Sequence, residues 1–256
     1  MYIHSASKKL SRLCLRSFQI LPQSSRNLHG SDFEYKKFRS IKGKSESSSR
    51  WLRRQAKDPF VHKAAKDGYR CRSAYKLLEM DDKFNFLTPG SRVVDCGASP
   101  GSWTQVALER IKSNRSNERS GMVVAVDLLD IKEIPGCITL GSSDFTCNDV
   151  QQRIIQYLPE GQADVVMSDM APASTGHGKL DHYKIVDLNR SVLEFAKTIL
   201  SEDGCLICKL WDGNETADIF EEISDCFSFC KKMKPRASRM DSSEFYIFSR
   251  GFLKKR

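Results

Sequence analysis

No apolar stretch in the sequence approaches 18 residues, so a membrane-spanning helix is excluded. No internal repeat and no low-complexity or collagen-like tract is present. Gly-x-Gly-x-x-Gly is absent, which disfavours a nicotinamide-dependent oxidoreductase. The nine cysteines are odd in number, and Cys96, Cys137, Cys205 and Cys208 sit in apolar, strand-like runs, unlike a disulfide framework. Free buried thiols suit a reducing compartment. Cys205-Leu-Ile-Cys208 matches C-x-x-C, but cysteines three apart in a strand face opposite ways, so neither redox nor metal chemistry is expected there. Cys226 and Cys230, at helical spacing, have no further ligands nearby and read as packing. Acidic residues are missing altogether before Asp32.

What is present is a chain of 256 residues, suited to one domain plus tails. Its 40% hydrophobic and 29% charged residues mark a soluble globular protein. The net charge of +9 is uneven. Residues 1–30 hold 5 Lys/Arg and no acid, and residues 31–80 hold 14 Lys/Arg against 6 Asp/Glu, so the first 80 residues carry +13 and the rest −4. In residues 1–31, Lys8, Lys9, Arg12 and Arg16 interleave with Leu10, Leu13, Leu15 and Phe18, the make-up of a mitochondrial transit peptide. Residues 32–68 form a basic extension in which Trp51 and Phe60 are interspersed; such a segment can track a phosphate backbone and stack on bases, or be a solvated linker.

From residue 69 to 252 the chain reads as one domain. A helical pattern over Ala74–Met80 ends at Pro89-Gly90. Strands are then expected at Arg92–Cys96, Met122–Asp127, Ile138–Leu140, Asp164–Asp169, Gly204–Leu210 and Phe245–Phe248. Helices are expected at Ser102–Lys112, Asp149–Leu158, Tyr183–Leu200 and Ala217–Phe227. This alternation predicts an α/β fold with a mostly parallel sheet covered on both faces.

Ligands of such sheets bind beyond the carboxyl ends of the strands. Asp95, Asp127 and Asp169 lie there, with the turn Gly97-Ala-Ser99-Pro100-Gly101-Ser102-Trp103 between the first strand and its helix. The glycines admit a ligand close to the backbone, and the helix start offers free N–H groups. The turn makes no tight phosphate cradle, so a ligand without phosphates such as S-adenosylmethionine fits. Asp127 is placed to accept its ribose hydroxyls, and Asp144 and Phe145 to meet its adenine by hydrogen bond and packing. Each aspartate could equally be a cap or turn former.

Other charges stand in unusual places. Lys209 interrupts the apolar run Cys-Leu-Ile-Cys-Lys-Leu, Glu244 precedes Phe-Tyr-Ile-Phe, and Lys76 lies beside Tyr75 and Leu77. A lysine is seldom buried without a partner. Strand ends at one edge of the sheet could join Lys209, Asp169 and Glu244, with Lys76 added by the preceding helix. His177 and His182 fall in the loop after Asp169, where a cover over a nucleic-acid groove suits them better than a metal or base role.

Arg72-Ser-Ala-Tyr-Lys76-Leu, the glycine turn, Ser168-Asp-Met-Ala-Pro172, Lys209 and Ser243-Glu244 together resemble the FtsJ/RrmJ family of RNA ribose 2′-O-methyltransferases. The resemblance covers roughly residues 57–250, with Ser102 where the family often has Gly. It implies a Rossmann-like methyltransferase fold with seven strands and S-adenosylmethionine as cofactor; no metal is expected. It places the cofactor at Gly97, Ser99, Pro100, Gly101, Ser102, Trp103, Asp127, Asp144, Phe145 and Asp169. It gives Lys76, Asp169, Lys209 and Glu244 as a catalytic tetrad in which Lys209 accepts the proton of a ribose hydroxyl. Burial and the neighbouring Lys76 cation would lower the Lys209 pKa for that task, opposed by Asp169 and Glu244. A purely hydrogen-bonding role for Lys209 is the opposing reading. Lys57-Asp-Pro-Phe-Val61 and the transit-like start resemble the mitochondrial branch, which methylates a uridine in large-subunit ribosomal RNA. RNA or a pre-ribosomal particle in the matrix is then the expected partner, and DNA is not. The alternatives are a tRNA or mRNA cap as substrate, or a mainly non-catalytic ribosome-assembly factor.

Overall fold

The computed structural model describes residues 46–112, 120–173 and 175–254. The expected transit peptide and the first residues of the basic extension lie outside the described residues. One seven-stranded sheet organises the chain, in the order β3-β2-β1-β4-β5-β7-β6. Its strands are β1 Arg92–Cys96, β2 Met122–Val126, β3 Cys137–Leu140, β4 Ala163–Ser168, β5 Leu200–Trp211, β6 Phe227–Met233 and β7 Glu244–Phe252. Strands β1 to β5 pair in parallel, and β7 runs antiparallel to β5 and β6. The inner strands are buried along their length, as a parallel sheet covered on both faces requires.

The helices are α1 Glu46–Lys57, α2 Pro59–Asp67, α3 Ala74–Phe84, α4 Ser102–Arg110, α5 Asn148–Tyr157, α6 Gly178–Ile199 and α7 Thr216–Ser224. Leu77, Met80, Trp103 and Val106 of α3 and α4 share one apolar cluster with Val93, Val165, Ile207, Tyr246 and Phe248 of the sheet. Ile154, Ile185, Val192, Ile199, Ile219 and Ile223 of α5, α6 and α7 share another with Val94, Val166, Leu206 and Cys208. Alternate residues of each strand therefore feed opposite layers. Cys205 and Cys208 fall in different layers, and both are free thiols.

Four local expectations need correction. The helix expected at Ala217–Phe227 ends at Ser224, and Phe227 instead opens a strand that the sequence pattern does not predict, β6. It is an edge strand with only Phe227 and Met233 buried, and Lys231 and Lys232 protect its open side. Cys230 lies on it, so its spacing from Cys226 is not helical. The last part of the extension is not a solvated linker: α2 buries Val61 and Ala64, and Ala64 packs with Tyr75 and Ala237. Finally, α6 begins at Gly178 and carries His182 on a helix, not a loop.

Candidate active site

The parallel strands point their carboxyl ends to one edge. Asp169 follows β4 there, Lys209 lies near the end of β5, and Glu244 opens β7. The antiparallel register sets Lys209 opposite Tyr246 and Trp211 opposite Glu244. The helix α3 brings Lys76 over the same edge.

These groups form one connected chain of charges. Lys209 Nζ stands 3.0 Å from Asp169 Oδ1 and also donates to the Asp169 carbonyl. The Tyr246 hydroxyl donates to the same Oδ1 at 2.7 Å. Lys76 Nζ is 3.2 Å from the Tyr246 hydroxyl and 2.6 Å from Glu244 Oε1. Ser238 donates to that Glu244 oxygen at 2.8 Å. Two ammonium groups and two carboxylates thus alternate around one phenol, so the net charge of the cluster is near zero and each ion has an opposite neighbour. Such pairing is what permits charge to be buried. Burial pushes the Asp169 carboxyl up, but Lys209, Lys76 and the Tyr246 hydrogen bond outweigh it and hold the group below its ordinary value. Burial, then Asp169 and Glu244, push the Tyr246 phenol well above its own, so it stays a donor.

Tyr246 is the residue that the sequence reading missed. A tyrosine inside Phe-Tyr-Ile-Phe reads as core, and its ring is indeed fully buried against Trp103, 5.7 Å away. Only the register opposite Lys209 reveals its hydroxyl as part of the polar cluster.

The second half of the edge lies over β1 and β2. Gly97 has φ +80°, and a side-chain carbon there would come within 2.5 Å of Met170 and 2.8 Å of its backbone nitrogen. Gly97 is therefore required for the approach of the two strand ends. Asp127 binds this turn with both oxygens, taking the Ser99 N–H at 2.9 Å and the Leu129 N–H at 2.7 Å. Leu128 and Leu129 beside it are about two-thirds exposed (67% and 66%), leaving apolar surface at the strand end. Arg70, also missed in the sequence, fastens the turn by donating to the carbonyls of Pro100, Lys132 and Glu133 at 2.7–2.8 Å.

Asp95 is fully buried in β1. Thr104 donates to its Oδ2 at 2.6 Å, whereas Oδ1 has no hydrogen-bond partner among the described residues. Burial, with the nearby Asp169 and Asp127 charges adding, pushes this carboxyl up to about 7 despite the Thr104 bond. A buried, unsatisfied carboxylate oxygen is costly unless a ligand completes it. The helix α4 starts at Ser102 after Gly101, which has no side chain to cap it, so its first N–H groups are also open among the described residues.

Three residues expected at the cofactor turn their side chains elsewhere. Trp103 donates its indole N–H to the Ser73 carbonyl at 2.9 Å, facing α3. Ser102 is buried, with its hydroxyl 2.8 Å from Ser73 Oγ. Phe145 packs edge-on against Phe195, in the core. Packing decided these orientations, and sequence position alone could not. Asp144 keeps its carboxylate at the surface of the turn, holding the Thr146 backbone and hydroxyl at 2.9 and 2.7 Å. His182 spends both ring nitrogens on structure, with Nδ1 on the Trp211 carbonyl at 3.1 Å and Nε2 accepting from the Glu215 N–H at 3.0 Å. His177 begins α6.

Comparison with known proteins gives the same outline. Residues 69–252 match the model of the FtsJ-like methyltransferase family. The chain is 44% identical over 216 residues to the mitochondrial rRNA methyltransferase 2 of Drosophila melanogaster, covering 84% of this chain and 86% of that one. It is 42% identical over 221 residues to the ribosomal RNA large subunit methyltransferase E of Roseobacter denitrificans, covering 86% and 91%. A solved structure described as a ribosomal RNA methyltransferase from Plasmodium falciparum superposes with a TM-score of 0.64 at 26% identity, over 73% of this chain and all of that one.

Proposed function

The chain belongs to the FtsJ-like methyltransferase family, and from that premise we propose that it moves the methyl group of S-adenosylmethionine to the 2′-hydroxyl of a uridine ribose in mitochondrial large-subunit ribosomal RNA. The observation that carries the reading is the cluster at the strand ends, where Lys209 stands 3.0 Å from Asp169 and Lys76 stands 2.6 Å from Glu244 around the Tyr246 hydroxyl. The naming of the fly and bacterial relatives supports ribosomal RNA as the substrate, and that of the fly protein supports the mitochondrion.

The residues over β1 and β2 fit the cofactor. The open Asp95 Oδ1 suits an ammonium group, and the uncapped start of α4 suits a carboxylate. Asp127 offers a charged acceptor to ribose hydroxyls. Gly97 and Gly101 keep the turn clear, with Ser99, Pro100 and Asp144 on its rim. When bound, the cofactor supplies a methyl group made electrophilic by its sulfonium.

The ribose hydroxyl must lose its proton as it attacks. Lys209 is the group assigned to accept it. Lys209 takes it as the neutral amine, and Asp169, held ionised by its lysine neighbours, orients that amine and pairs with the ammonium that the transfer forms, through a side-chain and a main-chain contact. Lys76, paired with Glu244, adds positive potential where the oxygen gains negative charge. Tyr246 keeps the two halves in register by bonding both. Positioning of the hydroxyl for in-line attack supplies much of the rate. A map of ribose methylation on mitochondrial ribosomal RNA, with and without the protein, tests this reading. Loss of one 2′-O-methyluridine is expected; an unchanged map would refute it.

A further inference from the structure

Two sequence features have no part in the chemistry above: Asp58, in Lys57-Asp-Pro-Phe-Val61, and Arg72, at the head of Arg72-Ser-Ala-Tyr-Lys76. The structure joins them. Asp58 caps α2 by accepting the Phe60 N–H on Oδ1 at 3.0 Å. Its Oδ2 pairs with Arg72, and Arg239 approaches to 3.8 Å. The pair is well covered, with side-chain exposures of 9% for Asp58 and 15% for Arg72. The Arg72 guanidinium also donates to the Ala237 carbonyl and lies over the Phe60 ring, 5.6 Å from its centre.

Ala237 is fully buried and belongs to a tight turn in which the Ser238 N–H bonds the Pro235 carbonyl at 2.8 Å. The turn is pinned at its other side by Glu79 of α3, which accepts the Arg236 N–H at 2.7 Å. The next residue, Ser238, is 4% exposed and gives its hydroxyl to Glu244 Oε1, the oxygen that holds Lys76. An unbroken path therefore runs from the start of α2, through Arg72 and the 235–238 turn, to the ion pair at the active edge.

We propose that Asp58 and Arg72 are positioning residues for methyl transfer, clamping the 235–238 turn so that Ser238 and Glu244 hold the Lys76 ammonium beside Tyr246. The basic segment before the domain thus ends in a helix that completes the active site and is more than a tether for RNA. Arginine suits this place because its planar fork reaches the Asp58 carboxylate and the Ala237 carbonyl from two separate nitrogens, a span that a single ammonium does not cover. This inference rests on the proposed function, and its test separates the two.

The full-length protein is used in single-turnover methyl transfer to mitochondrial large-subunit ribosomal RNA, with cofactor and RNA affinities measured separately. Asp58→Asn keeps a helix cap but loses the ion pair, Arg72→Lys keeps the charge but loses the fork, and Ser238→Ala cuts the path at its end. Each single variant is expected to lower the rate at saturation about tenfold, with cofactor and RNA affinities unchanged. The pairs Asp58→Asn with Ser238→Ala, and Arg72→Lys with Ser238→Ala, are expected to lose little more than one variant alone. Multiplicative losses, unchanged rates, or a loss confined to RNA affinity would overturn the clamp. Melting temperatures identify a variant that is merely unfolded, in which case the cycle of Arg72→Lys with Ser238→Ala decides. If the parent itself methylates no ribose in this RNA while binding the cofactor, the proposed function fails instead.

Discussion

Tyr246 and Asp169 are joined by a hydrogen bond of 2.7 Å, to the carboxylate oxygen that also faces Lys209 at 3.0 Å. One phenol hydroxyl therefore links the proton-accepting side of the cluster to Lys76, 3.2 Å away on its other side. Tyr246→Phe deletes this link and keeps the ring against Trp103. A hydrogen bond to a charged group contributes about 1.5–3 kcal/mol, so the single-turnover rate should fall roughly tenfold to a hundredfold in a folded protein. An unchanged rate would reduce Tyr246 to a core residue.

Asp127→Ala should weaken S-adenosylmethionine binding, because the ribose hydroxyls lose a charged acceptor worth about 1.5–3 kcal/mol. The Ser99 and Leu129 N–H groups lose their acceptor as well. Calorimetry should show affinity reduced by roughly tenfold or more. The same affinity in a folded variant would remove Asp127 from the cofactor site.

Asp95 links stability to pH in a sense opposite to a paired carboxylate. Burial raises it from 3.8 to about 7 in the folded chain. Between those values the unfolded chain has released the proton and the folded chain retains it, so stability falls as pH rises. One pKa unit corresponds to about 1.4 kcal/mol, so the full effect is on the order of 4 kcal/mol. Asp95→Asn removes it. Denaturation of parent and variant should show the variant losing less stability between pH 5 and pH 8, while cofactor affinity drops through loss of the charge. Parallel pH dependences, or full affinity, would contradict the role given to the open Oδ1.

Much of the fold was legible in the sequence because buried parallel strands are short β-branched runs and their helices keep a strict apolar period. Arg92–Cys96 and Ala163–Ser168 could hardly be read otherwise. The edge strand Phe227–Met233 was not legible, since its exposed side mixes Ser, Lys and Phe without alternation. In the candidate site, charges in apolar surroundings pointed to Lys209 and Glu244, because burying an unpaired charge is costly. Tyr246 gave no such signal, being chemically at home in a core. For Phe145 the position after the third strand suggests a place beside the cofactor, whereas its ring packs against Phe195 in the core, an orientation that position in the sequence does not reveal. The clamp through Asp58 and Arg72 depends on residues 165 positions apart, Arg72 and Ala237, which no local pattern connects.

The central claim is that Lys209 accepts the ribose proton while Asp169 holds it in place. The most direct measurement is the single-turnover rate of methyl transfer by Lys209→Arg at saturating cofactor and RNA. Guanidinium keeps the charge and the hydrogen bonds but cannot be deprotonated in a protein. The account predicts a loss of about 10²–10⁴-fold, the usual size of a general-base contribution, with cofactor binding retained. A variant nearly as active as the parent would contradict it, leaving Lys209 as a positioning charge and water as the proton acceptor.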